Sequence, residues 1–186
     1  MWGKPAQTRK TQVAAKRPMW GFARSTKGAA AVEFALVAGP LIFLLCSCIE
    51  LSMILLLSVT LDNATDLASR NIRTGITTSS NSSVATFKQA ICNNMGWLAS
   101  TCTGSLQVDV ETYNNFADVP TTDLIKNGQF DTANFNYNIG TGSQIQLVRV
   151  YYEWPLFTPF LDAALSKLGN GDAVVSSKVV FRNEPF

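Results

Sequence analysis

The side chains with the most chemical potential in this chain are two glutamates and four cysteines. Glu33 stands five positions after Gly28 inside a long apolar run, and Glu50 closes that run. Cys46 and Cys48 lie within it, while Cys92 and Cys102 lie far beyond it. There is no histidine, which removes Ser/His/Asp and Cys/His nucleophilic arrangements and most zinc sites. Gly140-Thr141-Gly142 and Gly169-Asn170-Gly171 lack the fingerprint and the strand-to-helix setting of a phosphate loop and read as turns. Asp109 and Glu111, the closest carboxylate pair on one strand face, read as a solvated edge rather than a general acid/base pair. No catalytic constellation, cofactor site or metal site emerges, so the expectation is a non-enzymatic protein.

The two glutamates differ in depth. Glu33 lies only about 7 Å along a helix from Gly28, near enough to an interface to snorkel, and it reads equally as a tolerated residue or a functional one. Glu50 lies about 33 Å past Gly28, which suits a boundary carboxylate reaching water or a contact to a partner. Cys46 and Cys48, two residues apart on a helix, point to different faces and read as small buried side chains. Cys92 and Cys102 are separated by a short loop in the outward part of the chain, where an oxidising compartment favours a disulfide. The chain-entropy model gives such a short loop somewhat less than ~3 kcal/mol.

The elements that must position these groups follow from charge and periodicity. Lys4, Arg9, Lys10, Lys16, Arg17, Arg24 and Lys27 precede Glu33 with no acid among them, although the net charge of the whole chain is only +2. Because this leader abuts an apolar run, the positive-inside rule accounts for it and no nucleic-acid partner is needed. Ala29 to Ile49 spans about 31 Å as a helix, close to the hydrocarbon thickness of a bilayer. No small-residue cleavage site closes the run, so the segment reads as a transmembrane helix rather than a secretory signal peptide.

The expected organisation is a basic cytoplasmic leader over 1–28, a transmembrane helix over 29–50, a helical extension over 51–75 and an outward domain over 76–186. In the extension, Leu61, Ala64, Thr65, Ala68 and Ile72 recur at helical spacing, while Asp62, Asp66, Ser69, Arg70 and Arg73 take the other positions. Gly75 is the expected helix stop, and Pro40 should kink or loosen the first half. Beyond a polar connector over 77–83, a second, short helix is expected over 84–99, with Phe87, Ile91, Met95 and Leu98 spaced along one face. Strands are expected over 106–112, 145–154 and 173–181, with a brief helix between the last two and at most a short hairpin in 114–142. The fold class is α+β, a long helix extending into a small domain with an antiparallel sheet.

The stretch from Gly28 through Ala29, Ala30, Ala31, Val32 and Glu33 to Phe34 resembles the processing site of type IV pilin-like precursors: basic leader, glycine, then an apolar helix with glutamate at its fifth position. The resemblance implies that a prepilin peptidase cuts between Gly28 and Ala29, and that Glu33 meets the freed amine of a neighbouring subunit during assembly. An ammonium partner makes a desolvated carboxylate tolerable in lipid. The chain is more specifically similar to the TadE-like proteins of tight-adherence (Tad/Flp) pilus systems, through GAAAVEFALVAGPLIFLL, IEL, LDNATDLASRNIRTG, the cysteine pair before LQVDV, VRVYYEWPLFTP and VVFRNEPF. The leader is long for this pattern.

That similarity implies a minor pseudopilin-like structural component acting in pilus biogenesis and adhesion, without cofactors. Its implied partners are the inner membrane, the prepilin peptidase and other pilin-like or Tad assembly subunits. The implied location is the bacterial inner membrane, single-pass, with the N terminus cytoplasmic, the C-terminal domain periplasmic, and entry into the pilus after processing. Two alternatives stand beside it: an uncleaved bitopic scaffold for assembly, and a single-pass membrane sensor. The absence of a folded domain in the leader counts against the sensor.

Overall fold

The structure, a computed structural model, describes residues 28–186, so the basic leader before Gly28 lies outside the described residues. Helix α1 (Ala29–Arg73) begins in a first unit that ends at Ile42 and continues in a second, Phe43–Phe186, which holds every other element.

Along α1 the side chains change surroundings while the helix itself does not break. Alanine and leucine are the commonest residues of its first half and favour helix, and the helix runs through Pro40 without interruption. Nearly all residues from Ala29 to Ile49 are exposed, including Cys46 and Cys48, which were expected as small buried side chains. This is one helix long and apolar enough to cross a membrane, and only 11% of its most apolar window is buried within the protein. From Glu50 onward a buried stripe appears: Glu50, Leu57, Leu61, Ala64, Thr65, Ala68, Ser69 and Ile72. Spacings of three, four and seven residues keep these on one face. Ser69 belongs to that stripe rather than to the polar face, while Asp62, Asp66, Arg70 and Arg73 are exposed.

The helix stops where Gly75 takes φ +75°. A Cβ at this position would also lie 2.6 Å from Cγ of Phe186, so both backbone conformation and a packed ring require glycine. The freed carbonyl of Arg73 accepts the N–H of Glu184 at 2.9 Å, which ties the end of α1 to the end of the chain.

What the stripe packs on is a three-stranded antiparallel sheet ordered β1 (Leu106–Tyr113), β4 (Ile145–Trp154), β5 (Ala173–Arg182). Helix α2 (Val84–Asn93) starts at Ser83, whose side chain and that of Thr86 form a capping box, and it buries Phe87, Ile91 and Cys92. A disulfide joins Cys92 to Cys102 at the head of α3 (Cys102–Ser105), with Cα atoms 5.6 Å apart. It fastens α2 to the chain entering β1. Val148, Val150 and Tyr152 of β4 join Leu57, Leu61 and Ile72 of α1 and Ile91 of α2 in one core.

Strand β4 alternates, as period two demands, so its odd residues face the other way. There Tyr151 packs with Val174 and Leu168 beneath Phe130 and Phe135, carried by the small hairpin β2 (Ile125–Lys126) and β3 (Gln129–Phe130) and the turn after it. The Asn- and Thr-rich middle of the chain is therefore a lid on the second face of the sheet. Asp109 sits under this lid, fully buried, not at a solvated edge. Its Oδ2 accepts from Nε of Arg149 at 2.8 Å and lies 2.8 Å from Nη2, while its Oδ1 accepts the backbone N–H of Asn136 at 2.8 Å. Glu111 extends the network through Asn136 Nδ2 at 3.1 Å and the Tyr113 hydroxyl. Burial pushes the Asp109 carboxyl above the usual carboxylate range, and the Asn136 N–H and Arg149 guanidinium pull it partly back.

Two outcomes test this packing. Arg149→Met strands the Asp109 carboxylate and should destabilise the fold by about 3–5 kcal/mol at neutral pH in thermal or urea unfolding. With its partner gone, Asp109 has a folded-state value raised further above the unfolded one, so lowering the pH toward that unfolded value restores stability to the variant. Cys92→Ser should cost somewhat less than ~3 kcal/mol, and unfolding of the wild type under reducing conditions should reproduce the loss.

Candidate functional site

Helix α4 (Pro159–Leu165) follows β4 after a short turn, with Thr158 as N-cap and Pro159 in its first turn. Proline is suited to that place because it has no N–H to leave unpaired. The Thr158 side chain makes no capping hydrogen bond, so the chain entering α4 takes its acceptor from elsewhere. Glu50 of α1 supplies it: Oε1 accepts the Phe157 N–H at 2.8 Å and Oε2 accepts the Thr158 N–H at 3.0 Å. The glutamate is wholly buried, and Thr158 is nearly so.

A carboxylate that accepts two backbone N–H groups at a helix entrance is held by charge-assisted hydrogen bonds and by the positive end of the local peptide dipoles. Water is not its environment, in contrast to the boundary reading, and the groups that satisfy it lie more than a hundred residues away in its own chain. Next to it the ring of Phe43 meets Phe160 edge-on, centroids 6.4 Å apart. The hint available in sequence was a lone acid at the end of an apolar run together with a Thr-Pro helix start that lacked an acidic cap. Nothing in the sequence paired the two.

The other site residues are placed as follows. Gly28 and Ala29 are exposed at the start of α1, and Glu33 is exposed one turn further on. Glu33 and Glu50 are thus opposite cases: one carboxylate projects from the helix, the other is enclosed. Cys92 and Cys102 are bonded to each other. Among the described residues no group of three or more His, Cys, Asp or Glu side chains is placed to hold a metal ion.

Comparison with known families bears on the first of these segments. Residues 28–70 match the TadE-like protein family. The match begins on Gly28, runs through Glu33 and Glu50, and ends within the last turn of α1. No curated protein and no solved structure matches the chain. A TadE-like segment suggests a component associated with a Tad pilus and with a membrane, in keeping with α1, which is long and apolar enough to cross one.

The Glu50 clamp gives a direct test. Glu50→Ala leaves two backbone N–H groups without acceptors and should lower the unfolding free energy of the detergent-solubilised chain by about 2–4 kcal/mol, with the smaller part of that loss in Glu50→Gln. Amide exchange at Phe157 and Thr158 should accelerate in the alanine variant by more than exchange in β1, which follows the global loss alone.

Proposed function

We propose that this protein is a minor pseudopilin-like component of a Tad pilus assembly system, a structural subunit with no catalytic activity of its own. One observation carries the reading: the family match opens on Gly28, and five residues on, Glu33 is an exposed carboxylate in an otherwise apolar stretch of helix. An exposed acid on a lipid-facing helix is costly unless a cation meets it. The freed amine of a neighbouring subunit, created by peptidase cleavage between Gly28 and Ala29, is that cation.

In this mechanism the precursor rests in the bacterial inner membrane with its leader in the cytoplasm and its disulfide-bonded head in the periplasm. A prepilin peptidase removes the leader, and the mature α1 packs laterally against helices of other pilin-like subunits. A head of more than a hundred residues is bulky for the repeating unit of a thin fibre, which favours a priming, tip or minor position.

Mass spectrometry of the protein from cells that also make the peptidase should give an N terminus at Ala29. An intact leader in those cells would favour the uncleaved scaffold instead. Glu33→Lys should insert in the membrane yet abolish piliation, and normal fibres in that variant would remove the role given to the carboxylate.

A further inference from the structure

Length and apolarity place the expected membrane segment over 29–50, with Glu50 as a boundary carboxylate reaching water or a contact to a partner. Both of its oxygens are instead engaged by Phe157 and Thr158, so the carboxylate itself no longer marks a water boundary. Beyond Glu50, Leu55, Leu56 and Val59 remain exposed, and the first exposed acidic side chain is Asp62. The element that encloses Glu50 is itself apolar on its outside. Phe157 is 62% exposed and Phe160 is 67% exposed, and Pro155 and Pro159 are exposed with them. Between Trp154 and Asp172 the charged residues are Asp162 and Lys167. Asp162 is exposed but lies toward the Gly169–Asp172 turn and away from Phe157 in sequence, its Oδ1 3.4 Å from where a Cβ on Gly171 would stand.

This exposed corner is continuous with the apolar helix, since Phe160 packs on Phe43, a residue of the run expected to lie in hydrocarbon. Two phenylalanines left in water would be unfavourable, whereas the acyl boundary of a bilayer takes such side chains readily. We propose that the corner formed by Pro155 to Ala164 is seated in the membrane boundary on the head side, with Phe157 and Phe160 against lipid acyl chains. The head then meets the bilayer at two places, α1 and this corner, and Glu50 is the internal bond that holds the corner down. The proposal rests on the reading of α1 as a membrane-spanning helix. Lipid is favoured over a neighbouring protein because the patch extends a surface that is already apolar and exposed on the same side of Glu50.

The test uses the full chain with Cys46 and Cys48 replaced by alanine, the disulfide retained, and single nitroxide labels introduced through Phe157→Cys or Phe160→Cys. The labelled protein is placed at high dilution in phosphatidylcholine/phosphatidylglycerol vesicles. Spin relaxation by oxygen, which concentrates in lipid, is compared with relaxation by a water-soluble nickel chelate. Oxygen should act several-fold more strongly than the chelate at both positions, and the order should reverse at Phe116→Cys, whose native side chain is comparably exposed on the head. Dominance of the chelate at 157 and 160 would overturn the proposal by placing the corner in water. Exclusion of both reagents would overturn it by covering the corner with protein. A Leu41→Cys label reads the span separately: loss of oxygen preference there removes the spanning helix, and with it the basis of the proposal, whereas oxygen preference at 41 with chelate dominance at 157 and 160 removes the corner alone. Because labelling at 160 disturbs the Phe43 contact, Phe157→Trp gives an independent measure. Its added fluorescence over the parent chain should be quenched by acyl-brominated lipid, and unquenched emission would count against the seating.

Discussion

Two backbone N–H groups that leave β4 for α4 have no local acceptor, and a carboxylate on α1 is the only group described near them that meets the need. That exchange marks where the helix stops being exposed and starts being covered by the rest of the chain. On one side of Glu50 the helix is exposed and apolar; on the other it carries a buried stripe against a sheet. Hydrogen bonds to a charged group contribute roughly 1.5–3 kcal/mol each, so the pair is comparable with the burial of one or two large aliphatic side chains. Unlike such burial, it is directional. It sets the rotation of α1 about its axis as well as its contact with the head.

The same logic recurs on the far face of the sheet. Strand β4 is buried on both sides, and its two faces have different solutions. Toward α1 the contacts are aliphatic and tolerate small adjustments. Toward the lid, Arg149 and Asp109 occupy a layer in which each charge needs its partner and the Asn136 amide needs Asp109. Such a pair adds little net stability compared with an apolar alternative, yet breaking it is expensive, and so it makes the position of the lid specific. The hairpin of β2 and β3 is too small to hold a place by itself. Phe130 and Phe135 against Tyr151 complete what the ion pair orients.

Most elements were legible because their periods were strong. The 3.6-residue recurrence of Leu61, Ala64, Ala68 and Ile72 and the runs of β-branched residues in 145–154 and 173–182 gave helix and strands within a residue or two of their observed limits. The Gly75 stop was readable from glycine's freedom at positive φ, whereas 114–142 read as loops with at most a short hairpin and did not reveal where β2 and β3 pair. What sequence could not supply was pairing over distance. Asp109 and Arg149 are forty residues apart and Glu50 and Thr158 more than a hundred, and a polar residue in sequence does not announce whether it has a partner. The default assumption of a solvated carboxylate therefore failed at both Asp109 and Glu50. Ser69 failed in the same sense, since a small hydroxyl fits a helix–sheet interface and its polarity was given too much weight. At the candidate site, Gly28 and Glu33 were readable as a motif, whereas the enclosure of Glu50 needed the fold.

Because α1 comes first and everything that covers it comes later, order of synthesis matters to this molecule. Phe157 and Thr158 emerge only after more than a hundred further residues, roughly 5 to 20 s at ribosomal rates of about 5–20 residues per second. Glu184, which closes the carbonyl of Arg73, emerges later still. Throughout that interval the stripe from Leu57 to Ile72 has neither its sheet nor its clamp. The nascent chain thus passes through a state with a bare apolar ridge, which needs shelter from water until the last strand arrives.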